Sequence, residues 1–233
     1  MGKAKTTKKA EPPPAPPAGR SAASGKPSPD KMVYLLGESE DALNLVEIHR
    51  SMFVVENMLS AAECTAIIRF AEQTGFDQLD CPPTRETAAR SHGRLSIESP
   101  AFAAKLWERV QAVSVVPPEI SGRKPVGLAS NIRFYRYRPG EYFGAHYDMS
   151  NQQEDGSWSM HTALFYLSGK PDLVGGETVF YKGTSANKIA TEVPPAVGLA
   201  LFHGHGTSHC LLHEARPVVK GVKYVLRTDI LYA

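Results

Sequence analysis

"NIRFYRYRPGEYFGAHYD" runs from Asn131 to Asp148. Two short runs of β-branched and aromatic residues flank the turn-forming "RPGE", the pattern of neighbouring strands joined closely in an antiparallel sheet. The second run closes on His146 and Asp148. Residues two apart on a strand leave the same face, so an imidazole and a carboxylate point the same way. Such a pair supplies two of the three donors of a 2-His-1-carboxylate metal site. The pair alone does not make one, because a turn-end histidine beside a loop-capping aspartate reads identically.

Downstream of this stretch the same character continues. "HTALFYL", "ETVFY", "KIATEV", "GLALFH" and "KYVLRTDILY" are short runs separated by "SGKPDLVGG" and "PPAVG". About eight strands at this spacing, with no helical period between them, predict an antiparallel sandwich or jelly roll. Upstream, "LVEIH" and "MFVVEN" read as short strands. Ser60 and Glu63 have capping-box spacing, and Ile67, Ile68, Phe70 and Ala71 form an apolar stripe that ends at Gly75. A second helix starts after Ser99 with Pro100 at its first position and turns Phe102, Leu106, Trp107 and Val110 inward. The expected fold class is α+β: a double-stranded β-helix, cupin-like, with N-terminal supporting helices.

Residues 1–31 are Lys-, Pro-, Ala- and Ser-rich and carry seven Lys/Arg against two acidic residues. They cannot bury enough apolar surface to offset their ordering entropy, so they are expected to be a disordered tail, with one domain over residues 32–233. "KAKTTKK" reads either as a solvated tail or as a nuclear address. Elsewhere 19 basic residues face 22 acidic ones, which gives no strong nucleic-acid signal. Cys64, Cys81 and Cys210 are far apart with no CxxC, excluding a thiolate zinc cage and arguing against a secreted disulfide framework. No apolar run reaches the length of a membrane span and no signal peptide is evident. A cytoplasmic or nuclear location without membrane attachment is the expectation.

The third donor is sought in "FHGHGTSHCLLHEA", which holds His203, His205, His209 and His213. Lys223 follows His213 by ten residues and opens an otherwise apolar strand. A buried ammonium needs an anionic partner. Arg227, four residues on, shares its facing and offers a second carboxylate partner. His203 and His205 are expected to serve a Gly-rich turn, with His205 bordering the pocket. His209 rivals His213 as ligand, Cys210 reads as a small buried residue, and His92 and His161 carry no role. Residues 81–96, with Arg90 and Arg94, and residues 149–158 read as polar loops that cover the site. Arg94 is a candidate substrate contact there.

The ordered series of HxD, a lone distal histidine and a lysine ten residues later resembles the iron- and 2-oxoglutarate-dependent dioxygenases of the prolyl 4-hydroxylase type. The resemblance covers roughly residues 50–233, including "RYRPGEYFGAHYD", "GGETVFY", "PPAVGLALFHG" and "VKGVKYVLRTDILY". It implies that His146, Asp148 and His213 ligate Fe(II) and form the catalytic centre. Lys223 would pair with the distal carboxylate of 2-oxoglutarate, and Tyr137, nine residues before His146, would hydrogen-bond that co-substrate. Tyr142 would border the prime substrate and Thr178 would line the pocket. Dioxygen is the other co-substrate and ascorbate the reductant. The implied reaction decarboxylates 2-oxoglutarate to succinate and hydroxylates an unactivated C–H, on a prolyl or other protein side chain. Retention of the carboxylate at Asp148 favours hydroxylation over halogenation.

The chain also departs from the prolyl-hydroxylase pattern. Ser159 stands where those enzymes carry an arginine, and Asp229 and Leu231 stand where they carry a tryptophan and a histidine. The iron and co-substrate residues are matched, while those that grip a peptide are not. Three other readings are an oxygenase of a small molecule, a non-catalytic jelly-roll sensor of metal or 2-oxoglutarate, and a zinc hydrolase. The last lacks an HExxH helix.

Overall fold

A computed structural model describes residues 25–37, 42–49, 52–84, 87–113, 115–206 and 209–233. "KAKTTKK" and the rest of residues 1–24 lie outside it. A 3-10 helix, Pro29–Leu35, begins inside the stretch expected as tail and buries Met32. The strands and helices follow in chain order: β1 (Asn44–His49), β2 (Met52–Glu56), α1 (Ala61–Thr74), β3 (Asp77–Cys81), β4 (Arg90–Glu98), α2 (Pro100–Ala112), β5 (Pro125–Leu128) and β6 (Asn131–Tyr137). Next are β7 (Tyr142–His146), β8 (Trp158–Tyr166), β9 (Val174–Gly175), β10 (Thr178–Tyr181) and β11 (Ile189–Val193). The chain ends with β12 (Ala200–Gly204), β13 (His213–Ala215), β14 (Val218–Lys220) and β15 (Lys223–Tyr232).

Thirteen strands form one antiparallel sheet in the order β1-β2-β12-β8-β15-β6-β4-β7-β13-β10-β11, with β3 beside β4 and β5 beside β15. Its two ends, β1 and β11, come back into contact, so the sheet nearly closes into a jelly-roll barrel. From Asn131 on, ten strands are described where about eight were expected, and upstream β3, β4 and β5 join the two expected there. The extra ones include β9 and β14, two and three residues long, which form a separate small pair.

Residues 81–96 are not one long loop. Cys81 ends β3, and Arg90–Glu98 is a strand paired with β6. Only residues 82–89 connect the two. Arg90, His92 and Arg94 occupy positions where an apolar side chain would have signalled a strand, and they hid the period of two. Residues 149–158 do run as a loop, bridged once between Gln152 and Trp158.

Period-two alternation divides the sheet into two faces. Ile132 and Phe134 on β6, Phe165 on β8, Phe202 on β12 and Leu226 and Ile230 on β15 face α1 and α2, meeting Ile67, Phe70, Phe102 and Leu106. Each such fully buried side chain contributes about 1.5–3 kcal/mol. Trp107, expected inward on α2, is only partly buried at the edge of this core. Tyr135 and Tyr137, Tyr166, Leu201 and Val225 take the other face and line the barrel with Phe180.

The helix layer is tied by a reciprocal cap. Ser60 Oγ accepts from Glu63 N at 3.2 Å, and Glu63 Oε2 accepts from Ser60 N at 2.8 Å. Arg109 of α2 then grips both Glu63 oxygens, at 2.7 and 3.0 Å. The turn into β12 depends on Gly198, whose φ is +78° and where an added Cβ would lie 2.0 Å from Leu59 O. Gly198→Ala combines left-handed strain with a backbone collision and breaks the Leu59–Gly198 hydrogen bond. It is expected to cost roughly 3 kcal/mol or more, measured as a fall in the denaturant midpoint.

Candidate metal and co-substrate site

β7 and β13 are antiparallel neighbours in which His146 and His213 are direct Cα partners. Asp148 follows two residues beyond His146. One ligand atom from each of the three lies within 4.8 Å of the others, the only such group of His, Cys, Asp or Glu among the described residues. His146 Nε2 is 3.8 Å from Asp148 Oδ1, and His213 Nε2 is 3.8 Å from Asp148 Oδ2. Each imidazole has its Nδ1 against a backbone carbonyl, Gly144 O at 2.8 Å and Leu211 O at 3.0 Å. A carbonyl only accepts, so Nδ1 carries the proton and Nε2 keeps its lone pair for a metal.

Aromatic rings fix both imidazoles. Phe143 stacks on His146 at 3.9 Å between centroids, and Phe180 stacks on His213 at 5.1 Å. Burial pushes the His146 and His213 imidazolium pKa values down to about 3 and about 4, so both rings are neutral at physiological pH, as metal ligation requires. Burial would raise the Asp148 carboxyl, but the Arg227 guanidinium, with the surrounding histidines, holds it well below the usual range. Thr162 Oγ donates to Asp148 Oδ2 at 2.6 Å, and Arg227 Nη1 lies 2.9 Å from Oδ1. Two neutral nitrogens and an ionised oxygen thus converge on one point, the donor set of a non-haem Fe(II) centre with open positions.

The same cavity holds a buried cation. Lys223, whose Cα pairs with Tyr137, is 2 % exposed. Its Nζ donates to Gly176 O at 2.6 Å and sits 5.2 and 5.6 Å from the Tyr137 and Tyr166 ring centres. Among the described residues no carboxylate is in ion-pair contact with it, and burial pushes its pKa down to about 7. Tyr166 donates to Thr178 Oγ1 at 2.7 Å on the opposite wall. An ammonium kept dry without a counter-ion, with hydroxyls around it, fits the far carboxylate of a dicarboxylic acid whose near end reaches the metal.

Seven of the nine residues singled out from the sequence line this one cavity: His146, Asp148, His213, Lys223, Tyr137, Thr178 and Arg227. Tyr142 and Arg94 do not. Between the His146–His213 and Phe143–Ala215 pairings β7 carries an extra residue, so the bulge reverses facing and turns Phe143, not Tyr142, inward. Arg94 lies along β4, paired with Tyr135 and Asp77. Arg227 is engaged by the site's own acids, Asp148 and Asp229.

The histidine cluster divides. His209, the rival ligand, is exposed and lies in a separate cavity with His161 and Met160. His205 borders that cavity too, with Nε2 2.8 Å from Thr162 Oγ1 and Nδ1 3.1 Å from Ser159 O. His203 is buried near the end of β12, with Nδ1 3.2 Å from Gly204 O and Nε2 3.5 Å from Asp148 Oδ2. Cys210 is buried, and its sulfur receives the Asp148 N–H at 3.4 Å. Reading the sequence missed Tyr166 and Phe180 as site residues and did not bring His203 to Asp148. Extending the alternation from Phe202 would have turned His203 inward.

A jelly roll that carries two histidines, an aspartate and a buried lysine around one cavity defines a non-haem iron, 2-oxo-acid oxygenase centre. A family model described as the 2OG-Fe(II) oxygenase superfamily matches residues 132–228, from β6 into β15. That family takes Fe(II) and 2-oxoglutarate, and the residues present fit both. The chain is prolyl 4-hydroxylase-like. It is 28% identical over 188 residues to probable prolyl 4-hydroxylase 9 of Arabidopsis thaliana, a match covering 72% of this chain and 64% of that protein. Its fold is shared with a viral collagen prolyl hydroxylase from Paramecium Bursaria Chlorella virus-1 (TM-score 0.53, 20% identity, 78% of this chain and 96% of that one). It is also shared with a Trichoplax adhaerens prolyl hydroxylase in complex with a hypoxia inducible factor peptide fragment (TM-score 0.53, 16% identity, 77% and 83%). No described helix is long and apolar enough to cross a membrane.

Proposed function

We propose that this chain is an Fe(II)- and 2-oxoglutarate-dependent dioxygenase that hydroxylates an unactivated C–H bond. The observation that carries the reading is the pairing, in one cavity, of the His146–Asp148–His213 group with a buried Lys223 that makes no ion pair among the described residues. His146, Asp148 and His213 would hold the iron through Nε2, a carboxylate oxygen and Nε2. Iron and 2-oxoglutarate together supply the oxidising chemistry: dioxygen and the 2-oxo acid become succinate, carbon dioxide and the oxygen atom inserted into the C–H bond.

The side chains' own work is positional. Lys223 neutralises and orients the far carboxylate of the co-substrate, between Tyr137 and Thr178. Phe143 and Phe180 keep the imidazoles from turning, and the surrounding tyrosines exclude water. A cleft lined by Pro83, Thr87, Ala88, Gly144, His146 and Met149 opens beside His146 and would admit the prime substrate. The described residues of its walls are apolar or uncharged.

The departure from prolyl hydroxylases favours a target other than a collagen-type proline. Asp229 is spent on Arg133 and Arg227, and Ser159 is bonded to Asn151, so neither position is free to hold a peptide. Anaerobic Fe(II) with 2-oxoglutarate is expected to give the weak visible charge-transfer band of the chelate. Succinate release above a no-enzyme control is expected under air with ascorbate present. A folded, iron-loaded chain without the band would overturn the assignment, and a band without succinate would leave a sensor rather than an enzyme.

A further inference from the structure

β15 presents two cations to the barrel, four residues apart, and their surroundings differ. Lys223 has a single carbonyl partner. Arg227 is held on three sides. Its Nη1 lies 2.9 Å from Asp148 Oδ1, and Nη2 lies 3.2 Å from Thr162 Oγ1 and 3.5 Å from Asp229 Oδ1. Asp229 is in turn ion-paired with Arg133. The chain of charges therefore runs Arg133, Asp229, Arg227, Asp148, with sign alternating along it. Arg227 Nε is sealed from solvent without a partner, so this side chain is placed by its two acids rather than by its own complete satisfaction.

We propose that Arg227 is a positioning residue for the metal-binding carboxylate, acting through Asp148. An ionised carboxylate has about four lone-pair sites, two on each oxygen. Arg227 occupies one site on Oδ1 and the Thr162 hydroxyl one on Oδ2. Both oxygens are thereby fixed in one plane, with Oδ1 toward His146 Nε2 and Oδ2 toward His213 Nε2 at 3.8 Å each. With Arg227 gone, Thr162 alone holds one oxygen and the carboxylate can rotate. The planar guanidinium suits the task better than an ammonium, because its fork reaches Asp148 and Thr162 simultaneously. Lys223 then remains for an external carboxylate while Arg227 serves an internal one.

The inference rests on His146, Asp148 and His213 holding the metal, and Co(II), a redox-stable probe with visible d–d absorption, separates the two. The wild-type chain is titrated first. Arg227→Gln is then expected to bind Co(II) about 10- to 100-fold more weakly, the range for losing an outer partner of a metal ligand. Its d–d spectrum is expected to change as well. Arg227→Lys, which returns the charge and one donor, is expected to recover most of the affinity and the spectrum, and it covers the case in which the Gln variant does not fold. A wild-type chain that binds no Co(II) overturns the metal assignment, and this inference with it. A wild-type chain that binds while both variants match its affinity and spectrum, with only the melting temperature lowered, makes Arg227 a structural ion pair and overturns the inference alone. Weaker 2-oxoglutarate binding with unchanged Co(II) binding makes it a co-substrate contact and also overturns it.

Discussion

Lys223→Met is expected to weaken 2-oxoglutarate binding by about two orders of magnitude or more while leaving the ligand-free protein at least as stable as the wild type. Removing one partner of a buried charge pair costs roughly 2–5 kcal/mol of affinity, and every 1.4 kcal/mol is about tenfold. The stability half of the result has the opposite sign for a plain reason. In the ligand-free fold Lys223 is 2 % exposed and, among the described residues, its ammonium hydrogen-bonds Gly176 O alone, so its burial works against folding. Methionine keeps the length of the stem without the charge. Titration of the chelate band with 2-oxoglutarate and thermal unfolding of the ligand-free chain together check both halves. A variant that binds 2-oxoglutarate as the wild type does would remove Lys223 from the co-substrate site.

The same residue sets a pH dependence. Burial brings the Lys223 pKa from 10.5 down to about 7 in the ligand-free fold. Between about pH 7 and 10.5 the unfolded chain binds more protons at this position, so its contribution to stability rises with pH across that window; below 7 the full penalty is present. Co-substrate binding runs the other way, because a carboxylate beside Lys223 holds the proton on. Affinity for 2-oxoglutarate is therefore expected to fall by roughly tenfold per unit above about pH 7, until the pKa of the bound state is reached. Lys223→Met is expected to flatten this profile.

Asp148→Ala is the second large effect. It removes a metal ligand rather than the partner of one, so the loss is expected to exceed the 10- to 100-fold typical of outer contacts and to reach about a thousandfold or more in succinate formation. It also leaves Arg227 buried with only Asp229 nearby, and breaking a buried pair costs roughly 3–5 kcal/mol. Asp148→Asn keeps the shape and separates the two losses. It is expected to retain more stability than the alanine variant while still failing to show the chelate band. An asparagine variant with wild-type iron binding would mean that a different donor completes the site.

Much of the site was legible before any coordinates, for reasons of spacing. His146 and Asp148 are two apart on a strand, and strand geometry alone puts them on one face. Lys223 stands out because a cation in "VKYVLRTDIL" contradicts its apolar neighbours. The two helices were equally plain, since a capping box at Ser60 and Pro100 at a first helical position are local signals. What escaped depends on contacts between distant segments. β4 was hidden because Arg90, His92 and Arg94 alternate where apolar residues would mark a strand, and the burial of His92 follows from the rings of Tyr135, Tyr137 and Phe143. The inward facing of Phe143 escaped too, because a bulge is a property of strand pairing and has no mark in one strand's residues.

The four histidines between His203 and His213 show where local reading ends. Composition and periodicity suffice for the jelly roll, for the shared facing of His146 and Asp148 and for the buried lysine, because each rests on short-range geometry or on a residue out of place in its own strand. His213, by contrast, was singled out by its resemblance-based spacing to Lys223. The remainder came from folding. Sheet pairing sets His213 opposite His146, turns His203 toward Asp148 and leaves His209 in solvent. It also brings Arg227 to Asp148. Which acid a buried cation meets is decided by strands that are neighbours in space and far apart in the chain, and the electrostatic energy of a buried pair depends on that spatial distance and on the local dielectric, not on separation along the chain.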